Sequence, residues 1–139
     1  VVHCSATREG CTLTSEALEA EHRRRGFRTT GYHYYIRRDG TVLGTRSLEL
    51  PGAHCRGHNK YSIGICYEGG LDARGNPKDT RTPEQRSALH LLVYQLLQQF
   101  RNARVCGHRD LSPDLDGDGT VEPWEWVKQC PCFEVSKEF

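Results

Sequence analysis

The chain of 139 residues contains no methionine, no C-x-x-C cysteine pair and no stretch of 18 or more consecutive apolar residues. The lack of a long apolar stretch excludes a membrane-spanning helix, so we expect no insertion into a membrane. The lack of C-x-x-C pairs argues against a structural zinc knot. Because 19 basic side chains oppose 18 acidic ones, the net charge is only +1, which argues against a general nucleic-acid-binding protein.

Internal repeats and low-complexity tracts are also absent. The length therefore predicts one domain over residues 1–139, and we expect a monomer. Val1 lies within a predicted strand and no methionine precedes it, so we expect further residues upstream in the natural protein. No signal peptide is recognisable in the chain.

The seven cysteines are an odd number, so at least one thiol stays outside any set of disulfides within the chain. This count favours synthesis in a reducing compartment, and we expect the protein to be made in the cytoplasm. A disulfide between Cys4 and Cys106 stays open, because two adjacent strands would bring these residues together.

The order of the predicted elements indicates an α/β domain with a central mixed β-sheet and helices on its faces. The Asp39-Gly40 pair predicts a hairpin turn, and an apolar segment ending at Tyr67 predicts a central strand. Apolar residues at helical spacing after Pro83 predict a long helix. The predicted strands are residues 1–4, 32–37, 41–46, 62–67 and 103–106, and the predicted helices are residues 14–25, 82–100 and 122–127.

Histidines and cysteines are numerous enough to form several metal-ligand sets. A catalytic zinc needs three protein ligands on rigid segments and one open coordination position. His3 ends the first predicted strand, His108 follows the strand at 103–106, and Cys130 follows the last predicted helix. Three ligands from such remote segments are typical of an enclosed catalytic site. Composition alone does not select these three, and Cys132 stays an alternative to Cys130.

A series of short motifs runs in order along nearly the whole chain. The motifs are Val2-His3-Cys4-Ser5-Ala6-Thr7, Gly31-Tyr32-His33-Tyr34, Arg38-Asp39-Gly40-Thr41-Val42, Gly52-Ala53-His54, Asn59, Ser62-Ile63-Gly64-Ile65, Thr82-Pro83-Glu84-Gln85, Gly107-His108-Arg109-Asp110 and Lys128-Gln129-Cys130-Pro131-Cys132-Phe133. Together they resemble the type 2 N-acetylmuramoyl-L-alanine amidases, and most closely the amidase-type lysozymes of phages. This family is also similar to the peptidoglycan recognition proteins, some of which have lost the metal.

The resemblance implies that Zn²⁺ is bound by His3, His108 and Cys130, and that Tyr32 and Lys128 are catalytic. The expected reaction is hydrolysis of the amide bond between N-acetylmuramic acid and L-alanine. The expected substrate is peptidoglycan or a muropeptide, and the expected place of action is the cell wall, after release or export. Without the resemblance, Tyr32 is typical of a core aromatic residue and Lys128 of a solvated charge at a helix end.

Local chemistry agrees with part of this assignment. Lys128 and Cys130 are two residues apart, so in an extended segment both side chains leave the same side of the backbone. A nearby ammonium also helps to keep the sulfur deprotonated. His33 and His54 lie within the resembling motifs and are predicted to line the substrate cleft or to support the ligands; a structural role for each is the alternative. Cys66 stands where some relatives carry a glutamate that acts as the base.

An acidic segment forms a candidate calcium loop. It fits the pattern D-x-D-x-D-G, then five residues and Glu. The oxygen ligands for Ca²⁺ would come from Asp114, Asp116, Asp118, the Thr120 carbonyl and Glu125. Such an ion would be structural and would fix the segment that carries Lys128 and Cys130. The helix that normally precedes such a loop is missing, because Ser112-Pro113 stands there, so an acidic surface insertion is the alternative.

Two other classes of function stay open at this point. One is a peptidoglycan-binding recognition module without catalysis, which the retention of all three ligand types argues against. The other is a calcium-regulated interaction domain, which would explain the acidic loop but none of the remaining motifs.

Overall fold

The structure, a computed structural model, describes residues 1–139 and contains six strands and two α-helices. The strands are β1 (Val2–Cys4), β2 (Thr7–Arg8), β3 (Tyr34–Ile36), β4 (Val42–Gly44), β5 (Ile65–Tyr67) and β6 (Gly70–Leu71). The helices are α1 (Ser15–Arg24) and α2 (Pro83–Gln99). Four short 3₁₀ turns cover Asn59–Tyr61, His108–Leu111, Pro123–Glu125 and Val135–Lys137. Neither helix is long and apolar enough to cross a membrane.

Four strands form a mixed sheet in the order β1-β5-β3-β4. β5 pairs in parallel with both β1 and β3, and β4 pairs antiparallel with β3. β5, the segment predicted to be a central strand, is therefore an inner strand of the sheet, and all three of its side chains are buried. β2 and β6 form a separate parallel pair.

The helices cover opposite faces of this sheet. Alternate residues of a strand point to opposite faces, and Ile65 and Tyr67 of β5 accordingly pack into one cluster with Leu89 of α2. Cys66 between them packs with Leu18 of α1. The predicted α/β fold with helices on both faces of a mixed sheet is confirmed.

Both helices begin where their capping residues predict. The Thr14 hydroxyl accepts a hydrogen bond from the Ala17 N–H at 3.1 Å, which satisfies one of the free donors at the start of α1. Thr82 caps α2 in the same way with Gln85. The buried Gln85 amide also donates to the Ile36 and Glu68 carbonyls, at 3.2 and 2.9 Å, and so joins α2 to the sheet.

The C-terminal residues are held to α2 by a buried guanidinium. Arg81 precedes the helix, is closed off from solvent, and bonds the carboxylates of Asp79 and Glu138. Its guanidinium also lies 3.2 Å from the centre of the Phe133 ring. The Arg81 charge is therefore balanced by two carboxylates, and its guanidinium packs on the Phe133 ring, where the C-terminal residues contact the start of α2.

Two predicted elements and the length of several strands are wrong. Residues 103–106 form no strand; the Val2 N–H donates to the Cys106 carbonyl, and a single bridge follows at Gly107 before the chain turns. The predicted helix at 122–127 is only a 3₁₀ turn. The Glu122 N–H donates to the Glu125 carboxylate at 2.9 Å, which caps the start of this turn, but the backbone is already extended at Trp126 (φ −64°, ψ 119°), so the helix does not continue.

All seven cysteines are free thiols in this structure. The sulfur of Cys4 lies 4.0 Å from that of Cys132, and the disulfide with Cys106 that the sequence left open is not formed.

Candidate metal centre

The side chains of His3, His108 and Cys130 converge on one point. Their ligand atoms all lie within 4.8 Å of one another, and the two imidazole rings are 4.5 Å apart between centres. His3 is buried, whereas the other two side chains are half-buried. The structure thus brings together one residue from β1, one from the turn after Gly107 and one from the C-terminal segment.

Strand pairing places His3 at this point. In the sheet His3 is opposite Cys66 of β5, and Cys66 is also opposite Tyr35 of β3. Because Cys66 and Tyr35 belong to the cluster on the α1 face, the register directs the His3 imidazole to that face.

Backbone contacts tie the His108 turn to the C-terminal segment. The Asp110 carboxylate accepts from the Gly107 N–H at 2.7 Å, and the Arg109 N–H donates to the Cys130 carbonyl at 2.9 Å. Gly107 packs so tightly that an added Cβ would lie 2.6 Å from Cδ of Pro131. A side chain at position 107 would therefore push the two ligand-bearing segments apart.

The two neighbouring cysteines have different surroundings. The Cys130 sulfur lies 3.9 Å from Nδ1 of His3 and accepts a hydrogen bond from the Cys4 N–H at 3.3 Å. The Cys132 sulfur lies against Cys4 and donates to the Gly70 carbonyl at 3.3 Å. Only Cys130 belongs to the group of convergent ligand atoms.

Of the two histidines predicted to line the substrate cleft, His54 lines the same cleft as His108 and His33 does not, and their contacts differ. Nδ1 of His54 is 2.9 Å from Nε2 of His3. His33 is 2% exposed; its Nδ1 accepts from the Gly64 N–H at 3.0 Å, and its Nε2 donates to the Leu50 carbonyl at 2.9 Å. Both ring nitrogens of His33 are therefore hydrogen-bonded within the fold, as expected if His33 has a structural role. Contact of His33 with the substrate stays a prediction, and its burial does not support it.

The histidines of the centre are strongly shifted toward the neutral form. Burial, followed by the neighbouring His108 and His54, lowers the pKa of His3 well below its usual value. Burial and then the Lys128 charge lower the pKa of His108 to about 4. Burial also lowers the pKa of His54 to about 3. Neutral imidazole is the form that can bind a metal ion.

The two residues predicted to be catalytic both lie beside this centre. The Tyr32 ring is 5.1 Å from the His3 ring and 5.3 Å from the His22 ring, measured between centres. Burial raises the pKa of the Tyr32 phenol well above its usual value, so the hydroxyl keeps its proton at neutral pH. Lys128 is exposed and lines the same cleft as His108.

This cleft has a volume of about 720 Å³ and is markedly basic. Its charged lining residues are all cationic: Arg25, Arg56, Arg109 and Lys128. Arg109 is committed elsewhere, since it stacks on Trp126 and bonds Glu134 at 3.1 Å. Arg56 is a cleft residue that sequence reasoning missed, because a single arginine in an irregular loop follows no recognisable pattern.

Glu68, two residues beyond Cys66, takes no part in the site. Its carboxylate is buried and accepts from Nε of Arg37 and from the Leu13 N–H, both at 2.7 Å. The structure therefore offers no carboxylate base at the position that the glutamate-containing relatives use.

The acidic loop brings its carboxylates together. Oxygens of Asp114, Asp116 and Asp118 lie within 4.8 Å of one another, and Asp116 forms a second such group with Glu122 and Glu125. Several of these oxygens accept backbone N–H groups, as Asp114 does from Gly117 and Gly119 and Asp118 does from Thr120. Calcium binding by this loop stays a prediction.

The sequence of the chain matches that of a known protein family. The sequence profile of the N-acetylmuramoyl-L-alanine amidases matches residues 1–131. An endolysin of Klebsiella phage KP32 is 36% identical over 136 residues, which span 98% of this chain and 81% of the endolysin. A peptidoglycan-recognition protein of Drosophila melanogaster is 32% identical over 98 residues, which span 70% of this chain and 53% of that protein.

The fold agrees with these sequence matches. A solved N-acetylmuramoyl-L-alanine amidase from Clostridium intestinale superposes with a TM-score of 0.75 at 26% identity, covering 99% of this chain and 77% of that one. The profile and the phage relative each span nearly the whole chain, so the resemblance predicted from the motifs is confirmed. The protein belongs to the type 2 N-acetylmuramoyl-L-alanine amidase family and is close to its phage members.

Proposed function

We propose that the protein is a zinc-dependent hydrolase that cleaves the amide bond between N-acetylmuramic acid and L-alanine in peptidoglycan. The observation that carries this proposal is the convergence of His3, His108 and Cys130 within 4.8 Å, next to a basic cleft. Three protein ligands with an open side are the arrangement of catalytic rather than structural zinc sites.

The surroundings of the three residues fit a zinc ion. Two nitrogens and one sulfur are ligands that zinc prefers. The Cys130 sulfur already accepts the Cys4 N–H, a contact that stabilises negative charge on the sulfur. A zinc ion bound here would supply an activated water and would polarise the carbonyl of the scissile amide.

The chain's own side chains supply the remaining chemistry. The ammonium of Lys128 lines the cleft beside His108, where it stabilises the negative charge that develops on the amide oxygen. The Tyr32 phenol holds its proton at neutral pH and lies against His3, so it can donate a hydrogen bond or a proton to the departing amine of L-alanine.

The charge of the cleft supports an acidic substrate. Arg25, Arg56 and Lys128 are exposed and line it, while the lining contains no carboxylate. Such a surface attracts a peptide that carries free carboxylate groups. Residues 1–139 would act as one catalytic unit on the cell wall.

A recognition module without catalysis is the competing function, favoured by the similarity to a peptidoglycan-recognition protein. The two functions are separated by incubating the protein with purified peptidoglycan and labelling newly released amino groups of alanine. A zinc hydrolase releases alanine N-termini, loses this activity after extraction of the metal, and regains it when zinc is restored. Co-sedimentation with peptidoglycan without any release would establish the recognition module instead.

A further inference from the structure

A chain of hydrogen bonds leads from His3 away from the candidate metal centre and ends on a backbone carbonyl. Its members are His3, His54, Ser62 and the carbonyl of His58. Nε2 of His3 is 2.9 Å from Nδ1 of His54, Nε2 of His54 is 3.3 Å from Oγ of Ser62, and that hydroxyl is 2.7 Å from the carbonyl oxygen.

The last member fixes the direction of every bond in this chain. A carbonyl oxygen can only accept, so the Ser62 hydroxyl donates to the His58 carbonyl. The Ser62 oxygen then accepts from Nε2–H of His54, which leaves Nδ1 of His54 without a proton. Nδ1 of His54 in turn accepts from Nε2–H of His3. The remaining nitrogen of His3, Nδ1, keeps its lone pair and faces Cys130 at 3.9 Å.

We infer that His54 and Ser62 are positioning residues that hold His3 in the Nε2–H tautomer and thereby present its Nδ1 to the metal. The part of this inference that concerns metal affinity rests on the proposed function. A partner that binds the second nitrogen of a ligating histidine fixes the ring orientation and strengthens the metal site.

The local packing holds the His54 ring in a single place. A Cβ added at Gly52 or Gly64 would lie 2.4 or 2.5 Å from Cδ2 of His54, so the ring is confined between two glycines. The Asn59 side-chain oxygen accepts from the N–H groups of His54 and Cys55, at 2.8 and 2.9 Å. Both the ring and its backbone are therefore held independently of His3.

If His54 only filled space, any side chain of similar volume could replace it. If it positions His3, the replacement must also accept a hydrogen bond, and a matched pair of variants distinguishes these two roles. His54→Asn places an oxygen near the position of Nδ1 and can still accept from His3, whereas His54→Leu has a similar length and no acceptor. His90→Leu, which replaces an exposed histidine of α2, serves as the control. Ser62→Ala removes only the hydroxyl and tests the relay without changing the ring.

The tautomer is measured on the metal-free protein by long-range ¹H–¹⁵N correlation of the histidine rings. We expect His3 to carry its proton on Nε2 in the wild type, in His54→Asn and in His90→Leu. We expect mixed tautomers of His3 in His54→Leu and in Ser62→Ala. A His3 proton on Nδ1 in the wild type, or an unchanged tautomer in both test variants, would overturn the inference and leave the proposed function untouched.

Zinc affinity is then measured by competition with a chromophoric chelator. Loss of such a supporting residue weakens metal binding about 10- to 100-fold, so we expect a decrease of this size for His54→Leu and little change for His54→Asn and His90→Leu. Wild-type affinity in His54→Leu would overturn the inference. A wild-type protein that binds no zinc would instead overturn the proposed function, and the tautomer measurement would still decide on the relay.

Discussion

Nδ1 of His3 faces the sulfur of Cys130 across 3.9 Å, although 127 residues separate them along the chain. Neither residue could serve a common ion without the parallel pairing of β1 with β5 and the backbone bond between Arg109 and Cys130. The candidate centre is therefore a product of the whole fold, and each of its parts can be tested separately.

Replacement of Cys130 by serine should abolish metal binding, whereas replacement of Cys132 should not. The Cys130 sulfur belongs to the convergent group, while that of Cys132 bonds the Gly70 carbonyl. Elemental analysis should give about one zinc per chain for the wild type and Cys132→Ser, and almost none for Cys130→Ser. Zinc retained by Cys130→Ser and lost by Cys132→Ser would reverse the assignment.

Lys128→Ala should reduce turnover and leave the metal in place. If the ammonium stabilises charge on the amide oxygen, its loss should lower kcat about 10²- to 10³-fold. Zinc content should stay near that of the wild type, because the lysine is not among the convergent ligand atoms. Lys60→Ala, at another exposed lysine, is the control. Unchanged release of alanine N-termini by Lys128→Ala would remove the residue from the catalytic machinery.

Gly107→Ala should destabilise the domain through one contact. Gly107 has an ordinary negative φ of −83°, so the backbone tolerates a side chain and the cost comes from the clash of the new Cβ with Pro131. Overpacking of this kind costs about 1–3 kcal/mol in the free energy of unfolding, which chemical denaturation measures. Gly44→Ala, where a Cβ would meet nothing within 4 Å, should stay close to the wild type. Equal effects of the two substitutions would contradict this explanation.

The stability of the domain should fall in acid because of the Arg81–Glu138 pair. The Arg81 guanidinium lowers the pKa of Glu138 to about 2, from a usual value of 4.5. The folded form therefore binds fewer protons than the unfolded form, so this stabilisation is complete above pH 4.5 and is lost as the pH falls toward 2. Glu138→Gln should flatten the dependence of the melting temperature on pH in this range. Glu21→Gln, on the exposed side of α1, should keep the wild-type slope.

Calcium should raise the melting temperature if the acidic loop binds it as its sequence pattern predicts. Asp118→Asn should remove this response, because it removes one charged ligand of a hard cation that prefers carboxylate oxygens. Asp72→Asn, in another exposed turn where the carboxylate caps backbone N–H groups, is the matched control. An identical melting temperature with and without calcium would establish the loop as an acidic surface insertion.

Local patterns predicted the elements that depend on local chemistry. The caps at Thr14 and Thr82 and the apolar spacing of α2 act over a few residues, and both helices begin where these signals place them. Residues 103–106 have the composition of a strand, but a strand also needs a partner along its length, and this segment meets β1 only through the hydrogen bond from the Val2 N–H to the Cys106 carbonyl, next to a single bridge at Gly107. Glu122, Pro123 and Glu125 carry the local signals of a helix start, but these signals do not encode where a helix ends, and the backbone is extended at Trp126.

The same distinction applies to the site. The family motifs pointed to His3, His108 and Cys130 as a set, and the fold brings them together. His33 and His54 were equivalent in sequence, since both lie in motifs of the same kind. Which of the two contacts the candidate centre depends on contacts across the fold. His33 bonds the backbone at Gly64 and Leu50, whereas His54 bonds His3.

His3 and Cys130, the first and last of the three convergent residues along the chain, lie close to its two ends, and this affects how the ends of the domain move. An ion shared by His3 and Cys130 would close a ring that contains almost the entire polypeptide, and closure of a long ring removes much conformational freedom from the unfolded chain. Fraying of β1 and of the C-terminal segment would then become one event. Amide hydrogens at both termini should exchange more slowly, and at a common rate, once the ring is closed.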